Sequence, residues 1–238
     1  MKKVLLVGMA VTAVMLGVGC SGTDWGKVTS GLLGGQAGLD TETMTAGLKE
    51  ALQVGIRRAV NRASSEGGYS EQPGLRITLP EKLDKMANAL RSVGLGGQVN
   101  MLENKMNRAA EEAAAQATPV FIDAIKDMTF ADARQILTGP DTAATDYLRR
   151  NTTGQLASLY EPIVEKHLRT VGVLDLYNRL HDRYQAVPLV PEVDFKPTNY
   201  VTGEALDGLF AMLAQEEQKI RKDPAARTTE LLKRVFGG

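Results

Sequence analysis

The chain has 238 residues, of which 43% are hydrophobic and 24% charged, and its 28 basic side chains balance 28 acidic ones. This composition is that of a globular protein, and the zero net charge argues against a nucleic-acid-binding module, which carries a basic excess. A single Cys and two His exclude a disulfide framework and the common Cys/His zinc sites.

The start of the chain has the pattern of an export signal. Lys2 and Lys3 precede residues 4–19, which carry no charge. A membrane-spanning helix needs about 20 apolar residues, so this shorter run is typical of a signal peptide that is cleaved. We therefore predict a signal peptide over residues 1–19.

The end of this run is similar to a bacterial lipobox. Residues 16–20 read LGVGC, with Cys20 after a small residue and an aliphatic residue just upstream. The resemblance implies cleavage before Cys20, a diacylglycerol group on its thiol and acylation of its new amino group. Three acyl chains make a near-permanent anchor, because each buried methylene contributes about 0.8 kcal/mol. Ser21 after the lipidated residue favours the outer membrane over the inner membrane.

Residues 20–40 have the composition of a flexible tether. After Cys20 this stretch is rich in Gly, Ser and Thr, which predicts a chain without fixed structure. Trp25 lies within it and has two interpretations that we keep open, an exposed linker residue and an anchor at the membrane interface.

From residue 41 onward the apolar residues recur every three or four positions, which is the spacing of a helix face. We predict an all-α fold, a single compact domain over residues 41–237 with eight or nine helices. The first helix has an apolar face of Leu48, Leu52, Ile56 and Ala59. Pro80 opens the second, which Gly94 ends, and its predicted buried residues are Leu83, Met86, Leu90 and Val93.

Proline and capping signals divide the middle of the chain. A long helix follows Gly97, and Pro119 should bend or restart it. Thr129 and Asp132 predict a capping box for a short helix, and its predicted buried side consists of Phe130, Ala133, Ile136 and Leu137. Residues 140–148 and 153–170 are predicted as separate helices.

The last third contains a proline-rich stretch between helices. Residues 187–198 hold Pro188, Pro191 and Pro197, which predict an extended strap across the helices. A further helix follows, and Asp223-Pro224 reads as the cap and first residue of a final one. Its predicted apolar face is Leu231, Leu232, Val235 and Phe236.

Several short segments together resemble a family of exported Gram-negative proteins of unknown function, DUF4197. They lie at residues 47–52, 121–126, 128–132, 136–141, 187–191 and 224–232, with the sequences GLKEAL, FIDAIK, MTFAD, ILTGPD, VPLVP and PAARTTELL. The likeness extends over residues 41–237. It carries no known activity, so it implies no catalytic residue and no cofactor.

One polar patch has the residue types of a metal or acid–base site. Asp123 and Asp127 are four residues apart and share a helix face, and Asp132 or Asp141 could add a third carboxylate. Hard cations prefer such oxygen ligands, and paired carboxylates can divide acid and base roles. The structural alternative is that Asp132 caps a helix, Asp141 lies in a first turn and basic neighbours neutralise the others.

Arginines supply candidate contacts for an anion. Arg149 and Arg150 are predicted late in a helix, where a planar guanidinium suits a phosphate or carboxylate but also a solvated or ion-paired role. Arg227 carries the same alternatives, and its context suggests hydrogen bonds that dock the C-terminus. His167 and His181 are fourteen residues apart and make a weak case for a metal.

Three functions remain open at this point. The first is a non-catalytic, lipid-anchored binding or scaffolding domain facing the periplasm, with an envelope protein as partner. The second is a carrier of a small or lipidic ligand in a cavity lined by Met86, Met106, Phe121 and Met212, since Met adapts to irregular sites. The third is a carboxylate-dependent enzyme or metal protein that uses Asp123 and Asp127.

Overall fold

The computed structural model describes residues 41–170, 172–190 and 195–227, together with 229 and 233. These residues fall in one compact unit, Leu39–Gly238. The described part contains eight α-helices and no strand, which confirms the all-α prediction. None of these helices combines the length and the apolar character that crossing a membrane requires.

The eight helices follow one another along the chain, and the longest connection, residues 65–83, lies between the first two. They are α1 (Thr41–Ser64), α2 (Asp84–Ser92), α3 (Gly96–Ala114), α4 (Ala117–Asp127), α5 (Phe130–Thr138), α6 (Ala143–Thr170), α7 (Val173–Gln185) and α8 (Pro197–Lys222). Short 3-10 turns precede α2 and follow α8.

The last long helix, α8, is the centre of the packing, because α1, α3 and α6 all lie against it. It runs antiparallel to α6, since Thr145 bonds to Glu217 near one end and Arg149 to Asp207 further along. The end of α8 therefore lies beside the start of α6, and α5 packs against α1 and α6.

The predicted apolar face of α1 is confirmed as core. Leu48, Leu52, Ile56 and Ala59 of α1 are all buried. At the end of α3 the buried residues are Ala109, Ala110, Ala113 and Ala114, whose small side chains let neighbouring helices approach closely. Pro119 lies in the first turn of α4, so the chain restarts a helix there as predicted.

Two residues assigned to buried faces are instead exposed, and these assignments are wrong. Val93 is 69% exposed because α2 ends at Ser92, so Val93 lies in the turn that follows. Phe130, the first residue of α5, is 46% exposed, whereas Ala133 and Ile136 of the same helix are buried.

The two helices predicted over residues 140–170 are one continuous helix, α6. The residues at the expected break, Asn151, Thr152 and Thr153, are weak helix formers. Each donates a side-chain hydrogen bond of 2.6–2.7 Å to the carbonyl four residues earlier, so the polar side chains remain satisfied within the helix. Arg149 and Arg150 consequently lie near the start of α6, not late in a helix as predicted.

The predicted strap is described only in part. Residues 187–189 form a turn with a fully exposed Leu189, and residues 191–194 lie outside the described residues. Phe195 is buried, Lys196 is extended, and Pro197 already begins α8. Asp223 accepts a hydrogen bond from the amide of Ala225 at 2.8 Å, as a cap. The predicted apolar face of a final helix lies outside the described residues.

An extended segment before α2 is held by one polar stripe of α3. The stripe consists of Glu103, Asn107 and Glu111, which are four residues apart and buried. Asn107 accepts from the amide of Ile77 at 2.9 Å and donates to its carbonyl at 2.7 Å. Side chains of α3 therefore take the place of a partner strand for the backbone of the segment.

Candidate functional site

A polar groove lies between α5 and α6 and contains part of the predicted patch. Its volume is about 240 Å³, and it opens to solvent. The residues that line it come from the two helices and their connection: Asp132, Gln135, Ile136, Pro140, Ala143, Asp146, Tyr147 and Arg150. We call it the α5/α6 groove.

Asp132 sits at the groove because it caps α5. The predicted capping box is present: the carboxylate of Asp132 accepts from the amide of Thr129 at 2.9 Å, and the Thr129 hydroxyl accepts from the Asp132 amide at 3.2 Å. The hydrogen bonds from Thr129 lower the pKa of the Asp132 carboxyl, and the nearby charge of Arg150 lowers it further. Asp132 is thus held in its charged form.

Tyr147 forms the buried wall of the groove. Its hydroxyl donates to the carbonyl of Ala124 at 3.4 Å. Burial raises the pKa of this phenol, the carboxylates of Asp132 and Asp127 raise it further, and Arg150 opposes them. The phenol therefore stays neutral at physiological pH and acts as a hydrogen-bonding group.

The neighbouring arginines of α6 have different surroundings. Arg149 bonds to Asp207 at 2.6 Å and stacks over the ring of Phe210 at 4.5 Å, so it joins α6 to α8. Arg150 is exposed and makes no hydrogen bond or ion pair with any residue that the structure describes. Its guanidinium is the positively charged group of the groove that is available to an anion.

Of the other carboxylates of the predicted patch, Asp127 is near enough to Tyr147 to raise the pKa of its phenol, whereas Asp123 and Asp141 lie in separate ion pairs. Asp123 pairs with Lys126 at 2.9 Å on the surface of α4. Asp141 pairs with Lys222 at the end of α8. Within the described residues, no group of three or more His, Cys, Asp or Glu side chains is placed to hold a metal ion.

The two histidines occupy different environments. His167 contacts Glu112 through Nδ1. His181 packs beside the ring of Tyr177, with 5.8 Å between ring centroids. The other ring nitrogen of His167, Nε2, and Nδ1 of His181 are buried without a hydrogen-bond partner among the described residues.

Arg227 docks the segment that follows α8. Its Nε donates to the carbonyl of Ile220 at 3.0 Å, and its Nη2 donates to that of Arg221 at 2.8 Å. These carbonyls belong to the last turn of the helix, where acceptors have no partner within the helix itself. This geometry matches the docking alternative for Arg227.

The residues proposed to line a ligand cavity are core residues. Met86, Met106, Phe121 and Met212 are at most 1% exposed and belong to one contiguous hydrophobic cluster. Phe121 also makes an edge-to-face contact with Phe210, with 5.8 Å between ring centroids. Their burial is explained by packing among helices.

Glu217 is not among the predicted site residues, but its carboxylate accepts more hydrogen bonds than that of any other acid in the described residues. Its side chain is 7% exposed and accepts five hydrogen bonds, from the Ala144 and Thr145 amides, the Thr145 hydroxyl and two guanidinium nitrogens of Arg221. Arg221 also donates to the carbonyl of Ile136 at 2.8 Å. A carboxylate from α8 thereby satisfies buried amides at the start of α6 that have no acceptor within the helix itself.

The only sequence signal for this pair is local. Glu217 and Arg221 are four residues apart in a helix, a spacing that also describes many solvated surface pairs. Nothing in the sequence connects Glu217 to Thr145, which is 72 residues earlier.

A comparison with models of protein families shows which family the chain belongs to. The model of the family described as "Protein of unknown function (DUF4197)" matches residues 38–237. The chain belongs to the DUF4197 family. No curated protein and no solved structure matches it. Membership in DUF4197 agrees with the resemblance found in the sequence and assigns no activity to the α5/α6 groove.

Proposed function

We propose that this DUF4197 member is a lipid-anchored protein of the cell envelope whose helical domain faces the periplasm and binds a partner without catalysis. The anchor is supported by the lipobox-like sequence that ends at Cys20, which lies outside the described residues. The first described helix begins at Thr41, after the glycine-rich stretch of the sequence, as expected of a domain carried on a tether.

The observation that carries the binding role is the contrast between Arg149 and Arg150. Arg149 pairs with Asp207 and packs on Phe210, whereas Arg150 lines an open groove and forms no hydrogen bond or ion pair with a described residue. A guanidinium in such a groove offers a planar fork for a carboxylate or phosphate, and Tyr147 adds a neutral phenol beside it. We infer that the partner places one anionic group on Arg150 and not a run of them, because Asp132 and Asp146 line the same groove.

Neither alternative function gains comparable support from the geometry. The carrier hypothesis relies on Met86, Met106, Phe121 and Met212, which pack in the core. The enzyme hypothesis relies on Asp123 and Asp127, and Asp123 already pairs with Lys126. The binding role needs only groups that the α5/α6 groove already presents.

The anchor is tested by the intact mass of the protein after expression in a Gram-negative host. We expect loss of residues 1–19, a diacylglyceryl thioether on the Cys20 sulfur, an amide-linked acyl chain on its amino group and recovery with the membranes. Cys20→Ser is the matched control and should yield a chain without acyl groups. An uncut chain with a bare Cys20 thiol in the soluble fraction would contradict the anchor.

The binding role is tested by a photo-crosslinking amino acid at Gln135, inside the α5/α6 groove, in cells that express the lipidated protein. We expect a defined adduct that Arg150→Ala removes and Arg57→Ala leaves intact, because Arg57 is an exposed arginine remote in sequence from the groove. Mass spectrometry of the adduct should find a carboxylate or phosphate at the contact. An adduct that persists in Arg150→Ala would remove the groove from the proposal.

A further inference from the structure

A second groove lies on the other side of α5, between this helix and the first turns of α1. Its volume is about 350 Å³. The residues that line it are Thr41, Met44, Thr45, Phe130, Ala133, Arg134, Leu137 and Thr138. The lining residues Phe130, Ala133, Arg134 and Leu137 follow the spacing of one helix face. This face of α5 is apolar except for Arg134, and an open groove separates it from α1. We call it the α1/α5 groove.

The chemistry of this groove is that of an amphiphile-binding surface. Phe130 is 46% exposed, an unusual degree for a large aromatic side chain. Arg134 is the only charged residue among the eight that line the groove, and its guanidinium bonds to no described residue. The hydroxyls of Thr45 and Thr138 already donate to helix carbonyls, at 2.9 and 3.0 Å.

The groove also adjoins the point where the tether enters the domain. Thr41 is both the first residue of α1 and a lining residue. The 21 residue steps from Cys20 to Thr41 can extend at most about 76 Å. A domain anchored through Cys20 therefore keeps this groove within reach of the lipid headgroups.

We propose that the α1/α5 groove docks on the membrane and takes the acyl region of an anionic phospholipid, with Arg134 on the lipid phosphate. This proposal rests on the lipid anchor described under the proposed function. A helix face that combines Phe and Leu with a cation binds at a membrane interface through apolar burial and attraction to anionic lipid. Docking would remove the exposed ring of Phe130 from water and give Arg134 a counter-ion.

The test uses the mature chain with Cys20→Ser, so that no acyl group contributes to binding. Trp25→Phe removes the single tryptophan, and Phe130→Trp introduces one in the groove. With phosphatidylglycerol vesicles we expect a blue shift of the emission and quenching by lipids brominated on the acyl chain. Arg134→Glu in this background should weaken vesicle affinity about tenfold or more, since it replaces attraction by repulsion.

Two matched variants control for nonspecific adsorption. Met101→Trp places the probe at an equally exposed apolar side chain, 50% exposed, that does not line the groove. Arg57→Glu makes the same charge change as Arg134→Glu on the exposed side of α1. We expect neither quenching at residue 101 nor more than a twofold loss of affinity in Arg57→Glu. Phosphatidylcholine vesicles should bind at least tenfold more weakly.

Several results would overturn the proposal. These are no quenching at residue 130, equal quenching at residue 101, or equal loss of affinity in Arg57→Glu. A blue shift that depends on protein concentration and not on vesicles would indicate a second copy of the chain in the groove instead. Absence of acylation in the mass experiment would refute the anchor while leaving the vesicle result unchanged, so the two failures are distinguishable.

Discussion

The interior of the bundle and the surface around α5 use polar and charged side chains in opposite ways. Inside, Glu217 accepts five hydrogen bonds and Asn107 binds both backbone groups of Ile77. Around α5, Arg134 and Arg150 line open grooves, and neither guanidinium forms a hydrogen bond or ion pair with a described residue. The buried polar groups complete the backbone of other segments, whereas these exposed arginines contribute little to holding the fold together.

This contrast separates residues that maintain the structure from residues available for binding. A buried charge without partners is strongly unfavourable, so the interior groups are constrained by the fold itself. An exposed arginine has no such requirement, and its position in a groove can serve a ligand. Substitutions in the two regions should therefore differ in kind, with large losses of stability inside and small ones around α5.

The largest expected effect follows from Glu217→Ala. Removing this carboxylate takes the ion pair from the half-buried Arg221 and leaves the buried amides of Ala144 and Thr145 without their acceptor. We expect the free energy of unfolding to fall by about 3 to 5 kcal/mol, measured by urea denaturation. Glu161→Ala, an exposed acid of α6, should stay within about 0.5 kcal/mol. A loss below about 1 kcal/mol in Glu217→Ala would contradict the structural role assigned to it.

The next effect tests the close approach of α8 to Tyr69. A Cβ added at Gly208 would lie 2.5 Å from Cε1 of the Tyr69 ring, whose hydroxyl donates to the carbonyl of Ala205 at 2.6 Å. Gly208→Ala should destabilise the fold by about 1 to 3 kcal/mol through overpacking. Gly203→Ala, on the same helix with open space around the new Cβ, should be neutral or stabilising in the same thermal and urea melts.

A smaller effect is expected at the cap of α5. Thr129→Ala should lower the free energy of unfolding by about 1 kcal/mol near neutral pH. Because the pKa of Asp132 is depressed in the folded state, its stabilisation is present above the ordinary Asp pKa of about 4 and is lost as pH falls through the lower folded-state value. The difference between the variant and the wild type should therefore shrink in acid.

The control for this prediction is Thr138→Ala at the other end of α5. Its hydroxyl donates to the carbonyl of Arg134 and caps no amide. It should show a smaller loss and no acid-dependent convergence with the wild type. Equal pH dependence in both variants would disconnect the effect from the capping box.

The smallest expected change in stability is that of Arg150→Ala. We expect it to stay within about 0.5 kcal/mol of the wild type. Arg149→Ala should lose somewhat more, about 0.5 to 1 kcal/mol, because it breaks the contacts with Asp207 and Phe210. In NMR titrations Arg150→Ala should raise the pKa of Asp132, since a favourable charge is removed. A larger stability loss at Arg150 than at Arg149 would reverse their assignment to binding and structure.

Local features of the fold were predictable from the sequence, and long-range polar contacts were not. The core face of α1 and the capping box of Thr129 and Asp132 depend on residues within a turn or two of one another. The continuity of α6 depends on Thr and Asn side chains that bond within the helix, and composition alone suggested a break there. The contacts of Glu217 and Asn107 span 72 and 30 residues, and no local pattern encodes them.

The candidate site was predictable in the same partial way. Residue type alone selected Asp132 and Arg150, which the fold brings to one groove. It also selected Asp123, Asp141 and Arg149, which tertiary contacts direct to separate partners. The exposure of Phe130 and the groove beside it depend on how α5 packs against α1, which the helical periodicity does not determine.

The bonds between Glu217 and the start of α6 also have a consequence for biosynthesis. While the ribosome has not yet translated position 217, the nascent polypeptide lacks the acceptor for two amides near residues 144 and 145. The hydrophobic surfaces of α1, α3 and α6 that pack against α8 also cannot be buried there before α8 has been synthesised. Completion of the bundle is thus postponed until α8 has been synthesised.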